Sequence, residues 1–135
     1  MTSSSLTLSA ALRRALIAQA VRERPLECCG LLVGTNDRVL FAVPMKNVAG
    51  SEVRYRIDER AHIDVRRVLR GTVPPLSICG VYHSHPDGPA VPSPTDIAEA
   101  HYPDWAYVII GLGRRQPSVQ AFRIRDGRAR RLTLR

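Results

Sequence analysis

Apolar positions set the framework of the chain before any chemistry is considered. After Leu6-Thr7-Leu8, Ser9 stands where a helix cap belongs, and Leu12, Leu16, Ile17, Ala20 and Val21 then recur at helical spacing until Pro25 ends the segment. This predicts a helix with one buried face. Residues 28–33 and 38–43 are apolar runs on either side of Thr35-Asn36-Asp37, and together they predict a hairpin. A third strand is expected around 53–57. An amphipathic helix follows over about 58–70, with Ala61, Ile63, Val65, Val68 and Leu69 among its apolar positions, and Gly71 and Pro74-Pro75 stop it.

Residues 76–83 read as a buried strand that runs directly into His83-Ser84-His85-Pro86. Proline, glycine and aspartate crowd 86–94, so a loop is expected there before a short helix from Pro94 to about His101. Strands at 106–111, 118–124 and 128–134 complete the pattern, with Trp105 and Tyr107 assigned to the first of them. No internal repeat or linker interrupts the order. Helix, three strands, helix, strand, helix, three strands indicate an α/β fold in which a mixed β-sheet is sandwiched by helices. With 135 residues, 44% of them hydrophobic, the chain suffices for one domain over 1–135 with a core that needs no disulfide.

Composition narrows the setting. No basic segment leads into an apolar stretch at the N-terminus, and no run approaches the length of a membrane span, so a soluble, cytoplasmic protein without membrane association is expected. Cys28, Cys29 and Cys79 form a sparse, odd set that suits buried thiols better than ligands or bridges. The formal net charge is +8, and 19 of the 20 basic residues are Arg, six of them between Arg123 and Arg135. Such a field could attract nucleic acid or an acidic protein, or be a solvated face. With 5% aromatic residues and no recognisable nucleic-acid motif, nucleic acid is disfavoured as the main partner.

The candidate chemistry gathers around the fourth predicted strand. His83 and His85 are two apart, so in a strand they project to one face, where two imidazoles can converge on one ion; a hydrogen-bonded surface pair is the alternative. Asp96 lies at the start of the following helix and can return to the strand end if the loop folds back. Two histidines, one carboxylate and a vacant position describe a catalytic rather than a structural zinc site. Ser93-Pro94-Thr95-Asp96 is equally what a helix start requires, a hydroxyl at the cap, proline at the first turn and an acid near the positive end of the dipole. Glu27, between Leu26 and Cys28, is either a carboxyl raised toward neutral pKa by apolar surroundings or a partly solvated strand-end charge. His62 and His101 are read as packing or surface histidines in helices.

Taken together, Glu27, His83-Ser84-His85-Pro86, seven residues, and Ser93-Pro94-Thr95-Asp96 resemble the Glu…His-x-His-(x7)-Ser-x-x-Asp pattern of the JAMM (MPN+) zinc metallopeptidases. Pro25 to Gly34 is similar to that family's acidic-residue strand, and Ile78 to Tyr82 to the strand leading into its histidines. The resemblance spans about residues 8–112 and points to the short prokaryotic branch. It implies a cytidine-deaminase-like JAMM/MPN fold, a zinc ion on His83, His85 and Asp96, Glu27 as general base and acid, and Ser93 as oxyanion donor. It also implies hydrolysis of an amide or isopeptide bond, at the Gly-Gly terminus of a ubiquitin-like or sulfur-carrier protein. A non-catalytic scaffold of the same fold is the alternative, against which all five motif positions are intact. A non-haem iron(II) site shares the two histidines and carboxylate but leaves Glu27 and Ser93 without work. A cupin-like site would need an all-β barrel. Pairing with a second copy of the chain is left open.

Overall fold

The computed structural model describes residues 3–135. Its elements are β1 (Ser5–Leu6), α1 (Ala10–Glu23), β2 (Cys29–Thr35), β3 (Arg38–Met45), α2 (Glu59–Arg70), β4 (Ile78–His85), α3 (Pro94–Ala98), β5 (Ala106–Gly111), β6 (Ser118–Arg125) and β7 (Arg128–Leu134). All seven strands join one sheet in the order β1-β7-β6-β5-β4-β2-β3. The β4–β5 and β1–β7 pairs are parallel and the rest antiparallel, so the sheet is mixed. The two strands at its centre, β4 and β5, read Ile-Cys-Gly-Val-Tyr-His-Ser-His and Ala-Tyr-Val-Ile-Ile-Gly and are buried almost throughout. Continuous apolar runs of this kind belong to strands covered on both faces.

Strand alternation divides those runs between two cores. Leu32, Tyr82, Val108 and Ala121 point to the face covered by α1, where Leu12, Leu16, Ile17 and Ala20 meet them. Leu31, Val33 and Ile78 point the other way, onto Val65 and Leu69 of α2. Val81, Tyr107, Ile109 and Phe122 continue that second face beneath Tyr55, Ile57 and Trp105. Helices therefore lie on both sides of the sheet, as the order of elements predicts.

Helix α1 starts where Ser9 Oγ accepts the Leu12 N–H at 3.1 Å. It is keyed to the sheet by a buried polar link: Gln19 Nε2 donates to the Cys29 carbonyl at 3.2 Å while its Oε1 accepts from the Tyr82 hydroxyl. The Tyr82 ring fits only because Gly30 has no side chain, since a Cβ there would lie 2.3 Å from the ring.

Several boundaries differ from the sequence reading. No strand forms at 53–57; Val53 is 78% exposed, and the segment is a strap outside the sheet, held by the Asn47 side chain and the Val48 N–H. Asn47 Nδ2 donates to the Arg54 carbonyl at 3.0 Å and Asn47 Oδ1 accepts the Arg56 N–H at 3.1 Å. Val21, Ile63 and Val68 are 49%, 52% and 69% exposed, so the buried stripes of α1 and α2 are narrower than their apolar positions suggest. Helix α3 stops at Ala98, which leaves His101 outside any helix, and β4 continues through both histidines. Leu6, which the sequence pattern assigns to no element, pairs with Leu134 in the short strand β1.

Arg123 is not part of the surface charge. It is 4% exposed and donates to the carbonyl oxygens of Asp104, at 2.9 Å, and Asn36. The three cysteines are buried free thiols, with burial pushing Cys28 and Cys79 up to about 11. Among the described residues no helix is long and apolar enough to cross a membrane.

Candidate metal centre

His83 and His85 end β4 on the face covered by α2, and α3 brings Asp96 back to them. The three donor atoms form a nearly equilateral triangle. His83 Nε2 and His85 Nε2 are 3.2 Å apart, and Asp96 Oδ2 is 3.1 Å from each. His85 Nδ1 lies 2.8 Å from the Pro89 carbonyl, which can only accept, so Nδ1 carries a proton and, in the neutral ring, Nε2 presents a lone pair. Where both imidazoles present Nε2 lone pairs, these and the carboxylate repel one another unless a cation, a proton or a metal ion, lies between them. Zinc bonds of about 2.0–2.1 Å in a tetrahedron set neighbouring donors about 3.3–3.4 Å apart, close to the observed triangle. The donor set thus fits such an ion with one position left open, and among the described residues it is the cluster of this type.

The loop that returns Asp96 is fixed by its own chemistry. Pro86 and Asp87 turn the chain directly after β4. The Leu112 N–H then donates to the His85 carbonyl at 3.0 Å, and the Gly113 N–H to the Gly88 carbonyl at 3.1 Å. Ser93 caps α3: its Oγ accepts the Asp96 N–H at 3.1 Å, and Asp96 Oδ2 accepts the Ser93 N–H at 2.9 Å. Capping and convergence on the histidines are therefore simultaneous, since Oδ2 takes part in both. Because Ser93 Oγ accepts within the cap, its own hydroxyl hydrogen stays available to donate.

Glu27 is 2% exposed, which overturns the solvated strand-end alternative. Desolvation pushes its carboxyl up to about 7, with His85 opposing the rise and Asp96 adding to it, so two of the triangle's three groups act on it. Its Oε1 is buried without a hydrogen-bond partner among the described residues. Desolvation lowers the pKa of His83 despite the pull of Asp96. Desolvation also acts on His85, but the hydrogen bonds to Asp96 and the Pro89 carbonyl prevail and raise it. Asp96 is held far below the usual carboxylate range, because hydrogen bonds from the two imidazoles outweigh its desolvation.

Three residues that the sequence reading left out shape this centre. Ser84, fully buried between the histidines, accepts the Cys28 N–H at 2.8 Å on its hydroxyl, while its own N–H donates to the Cys28 carbonyl at 3.1 Å. This pins the segment carrying Glu27 to the strand carrying the histidines. Asn47 Nδ2 donates to the Glu27 carbonyl at 3.0 Å. Tyr55 stacks on the His83 ring with centroids 4.4 Å apart. Ser84 was legible as part of the His-Ser-His spacing, whereas a lone Asn and a lone Tyr in an irregular segment carry no local signal.

Beyond Tyr55, a cavity of about 610 Å³ opens on the same face of the sheet, floored by Leu31, Val81 and Tyr107 and walled by Tyr102 and Trp105. The exposed Arg54–Glu99 ion pair, at 2.9 Å, joins the strap at 53–57 to the end of α3 beside it.

Comparison with known proteins agrees with this geometry. The family model described as prokaryotic homologs of the JAB domain matches residues 9–125. A "CysO-cysteine peptidase" of Mycobacterium tuberculosis is 36% identical over 129 residues, covering 90% of this chain and 84% of the relative. A "Desampylase" of Haloferax volcanii is 34% identical over 116 residues, covering 81% and 82%. Among solved structures, a protein of Desulfitobacterium hafniense superposes with a TM-score of 0.85 at 28% identity, covering 96% of this chain and 91% of that one. A match over most of the chain, together with relatives above 30% identity, places the protein in one family: it belongs to the prokaryotic JAB-domain proteins.

Proposed function

We propose that the protein is a zinc-dependent peptidase that hydrolyses an amide or isopeptide bond at the Gly-Gly terminus of a ubiquitin-like or sulfur-carrier protein. The observation that carries this reading is the donor triangle of His83, His85 and Asp96 beside a buried carboxyl poised near neutral pKa. The names of the relatives, one a peptidase acting on a cysteine joined to CysO and another a desampylase, support the substrate class.

In this reading His83, His85 and Asp96 hold the ion. When bound, it supplies Lewis acidity that lowers the pKa of water from 15.7 toward about 7 and polarises a carbonyl. Glu27 does the proton work. Its carboxylate takes a proton from water as the oxygen adds to the carbonyl carbon, then returns that proton to the leaving nitrogen as the C–N bond breaks. A carboxyl whose pKa burial raises is a stronger base for the first step than an ordinary glutamate, and once protonated it is still acidic enough to donate in the second. The Ser93 hydroxyl donates to the developing oxyanion, a contact of the kind worth about 3 kcal/mol in the transition state.

The strap at 53–57 offers a place for the carrier's tail. Both backbone groups of Arg56 are taken, its N–H by Asn47 and its carbonyl by the Val48 N–H at 2.9 Å. In an extended chain the Tyr55 N–H and carbonyl then face the opposite side, available for an added strand. The complete donor set and the neutral-range Glu27 support catalysis over a non-catalytic scaffold.

Metal content and turnover, measured together on two variants, test this reading. Glu27→Gln is expected to bind zinc at wild-type stoichiometry and to lose turnover, and His85→Ala to lose both. Undiminished hydrolysis by metal-loaded Glu27→Gln would remove Glu27 from the mechanism.

A further inference from the structure

His83 lacks the hydrogen bond that ordinarily fixes a metal-ligating imidazole. Such a ring nearly always donates its second nitrogen to a carboxylate, carbonyl or water. His85 does so, through Nδ1 and the Pro89 carbonyl. His83 Nδ1 is buried with no partner among the described residues, although the ring is only 1% exposed. What the ring meets instead is an aromatic face: Tyr55 lies over it with centroids 4.4 Å apart and planes inclined by 20°. The contact with His85, at 5.0 Å and 63°, is edge-on, so the stack with Tyr55 is the face-on ring contact of His83. Tyr55 is itself anchored, because Asn47 holds the carbonyl before it and the N–H after it.

We propose that Tyr55 is a positioning residue for the metal, its ring face setting the plane of the His83 imidazole and hence the direction of the Nε2 lone pair. Stacking here does the work that a hydrogen bond does at His85. The hydroxyl plays no part in this; the flat ring does. The inference rests on the metal reading above and assigns a residue outside the His-x-His and Ser-x-x-Asp segments to the same centre.

The test does not depend on turnover. Zinc affinity is measured by competition with a chelator, and ligand geometry by the visible spectrum of the cobalt(II)-substituted protein, for wild type, Tyr55→Phe, Tyr55→Leu and Tyr55→Met. The Phe variant keeps the ring and is expected to match wild type in both. The Leu and Met variants keep apolar bulk without a flat face and are expected to bind zinc about 10- to 100-fold more weakly, with a displaced cobalt spectrum. Thermal melting of each metal-free protein shows which variants are folded. Wild-type affinity and spectrum in a folded Leu or Met variant would overturn the proposal. So would a Phe variant as impaired as these, which would move the role to the hydroxyl and decides the matter even if neither aliphatic variant folds. A wild type that binds no zinc defeats the metal reading itself, an outcome distinct from a zinc-binding wild type indifferent to Tyr55.

Discussion

In the proposed reading Glu27 and Ser93 each carry two physical roles, and single substitutions separate them. Burial raises Glu27 from 4.5 to about 7, so the folded metal-free protein holds this proton more tightly than the unfolded chain does. Its contribution to stability is therefore full below the unfolded value and is lost as pH rises through about 7. Urea unfolding of metal-free protein should show wild type losing about 2 kcal/mol more than Glu27→Gln between about pH 5 and pH 7.5. Equal losses would mean that Glu27 is not desolvated in the metal-free state. A bound divalent cation favours the carboxylate, so the acidic limb of kcat/KM in the loaded enzyme should fall below this value. Ser93→Ala removes a cap worth about 1 kcal/mol and an oxyanion donor worth about 3 kcal/mol. The expected result is a small loss of stability with a loss of more than about a hundredfold in turnover per folded molecule. Retained turnover would leave Ser93 as a cap alone.

Among the elements, β4 joins both halves of the fold to the chemistry, and its glycine shows how tightly. A Cβ on Gly80 would lie 2.3 Å from the Ala106 carbonyl oxygen, a backbone atom of β5 that cannot swing aside. Gly80→Ala should destabilise the protein by about 2 kcal/mol or more in chemical denaturation, at the upper part of overpacking costs. Gly50→Ala, with φ +57° and open space around it, should cost only about 1 kcal/mol. Most elements were legible because apolar periodicity reflects burial directly: β5 falls where the run at 106–111 places it. The strap at 53–57 was not, because Val53, Tyr55 and Ile57 alternate like a strand while the backbone bonds go to the side chain of Asn47 and the Val48 N–H rather than to a sheet neighbour. Strand β1 is two residues long and exists only through its pairing with β7, a contact between the ends of the chain that no local pattern encodes. The histidines, Asp96 and Glu27 were recognisable by spacing, but the stack of Tyr55 on His83 depends on tertiary approach.

At the scale of the whole molecule, charge and metal act on different parts. The six Arg between Arg123 and Arg135 overstate the free basic field there, since Arg123 is buried on carbonyl oxygens and Arg125 pairs with Asp104 at 3.0 Å. In the proposed reading metal binding, by contrast, ties β4 to α3 through Asp96 and should stabilise the entire fold. At zinc concentrations a hundred times the dissociation constant, linkage adds about 2.7 kcal/mol. The thermal midpoint of wild type should therefore rise with zinc, and that of Asp96→Ala should rise far less; parallel shifts would put the ion elsewhere.

The most direct test of the peptidase reading is cleavage itself. Zinc-loaded protein would be incubated with a ubiquitin-like carrier bearing one amino acid beyond its Gly-Gly terminus, and the carrier's mass followed over time. The account predicts a product ending at Gly-Gly, lost on chelation and restored by zinc. An intact carrier in the presence of protein with a full complement of zinc would contradict it.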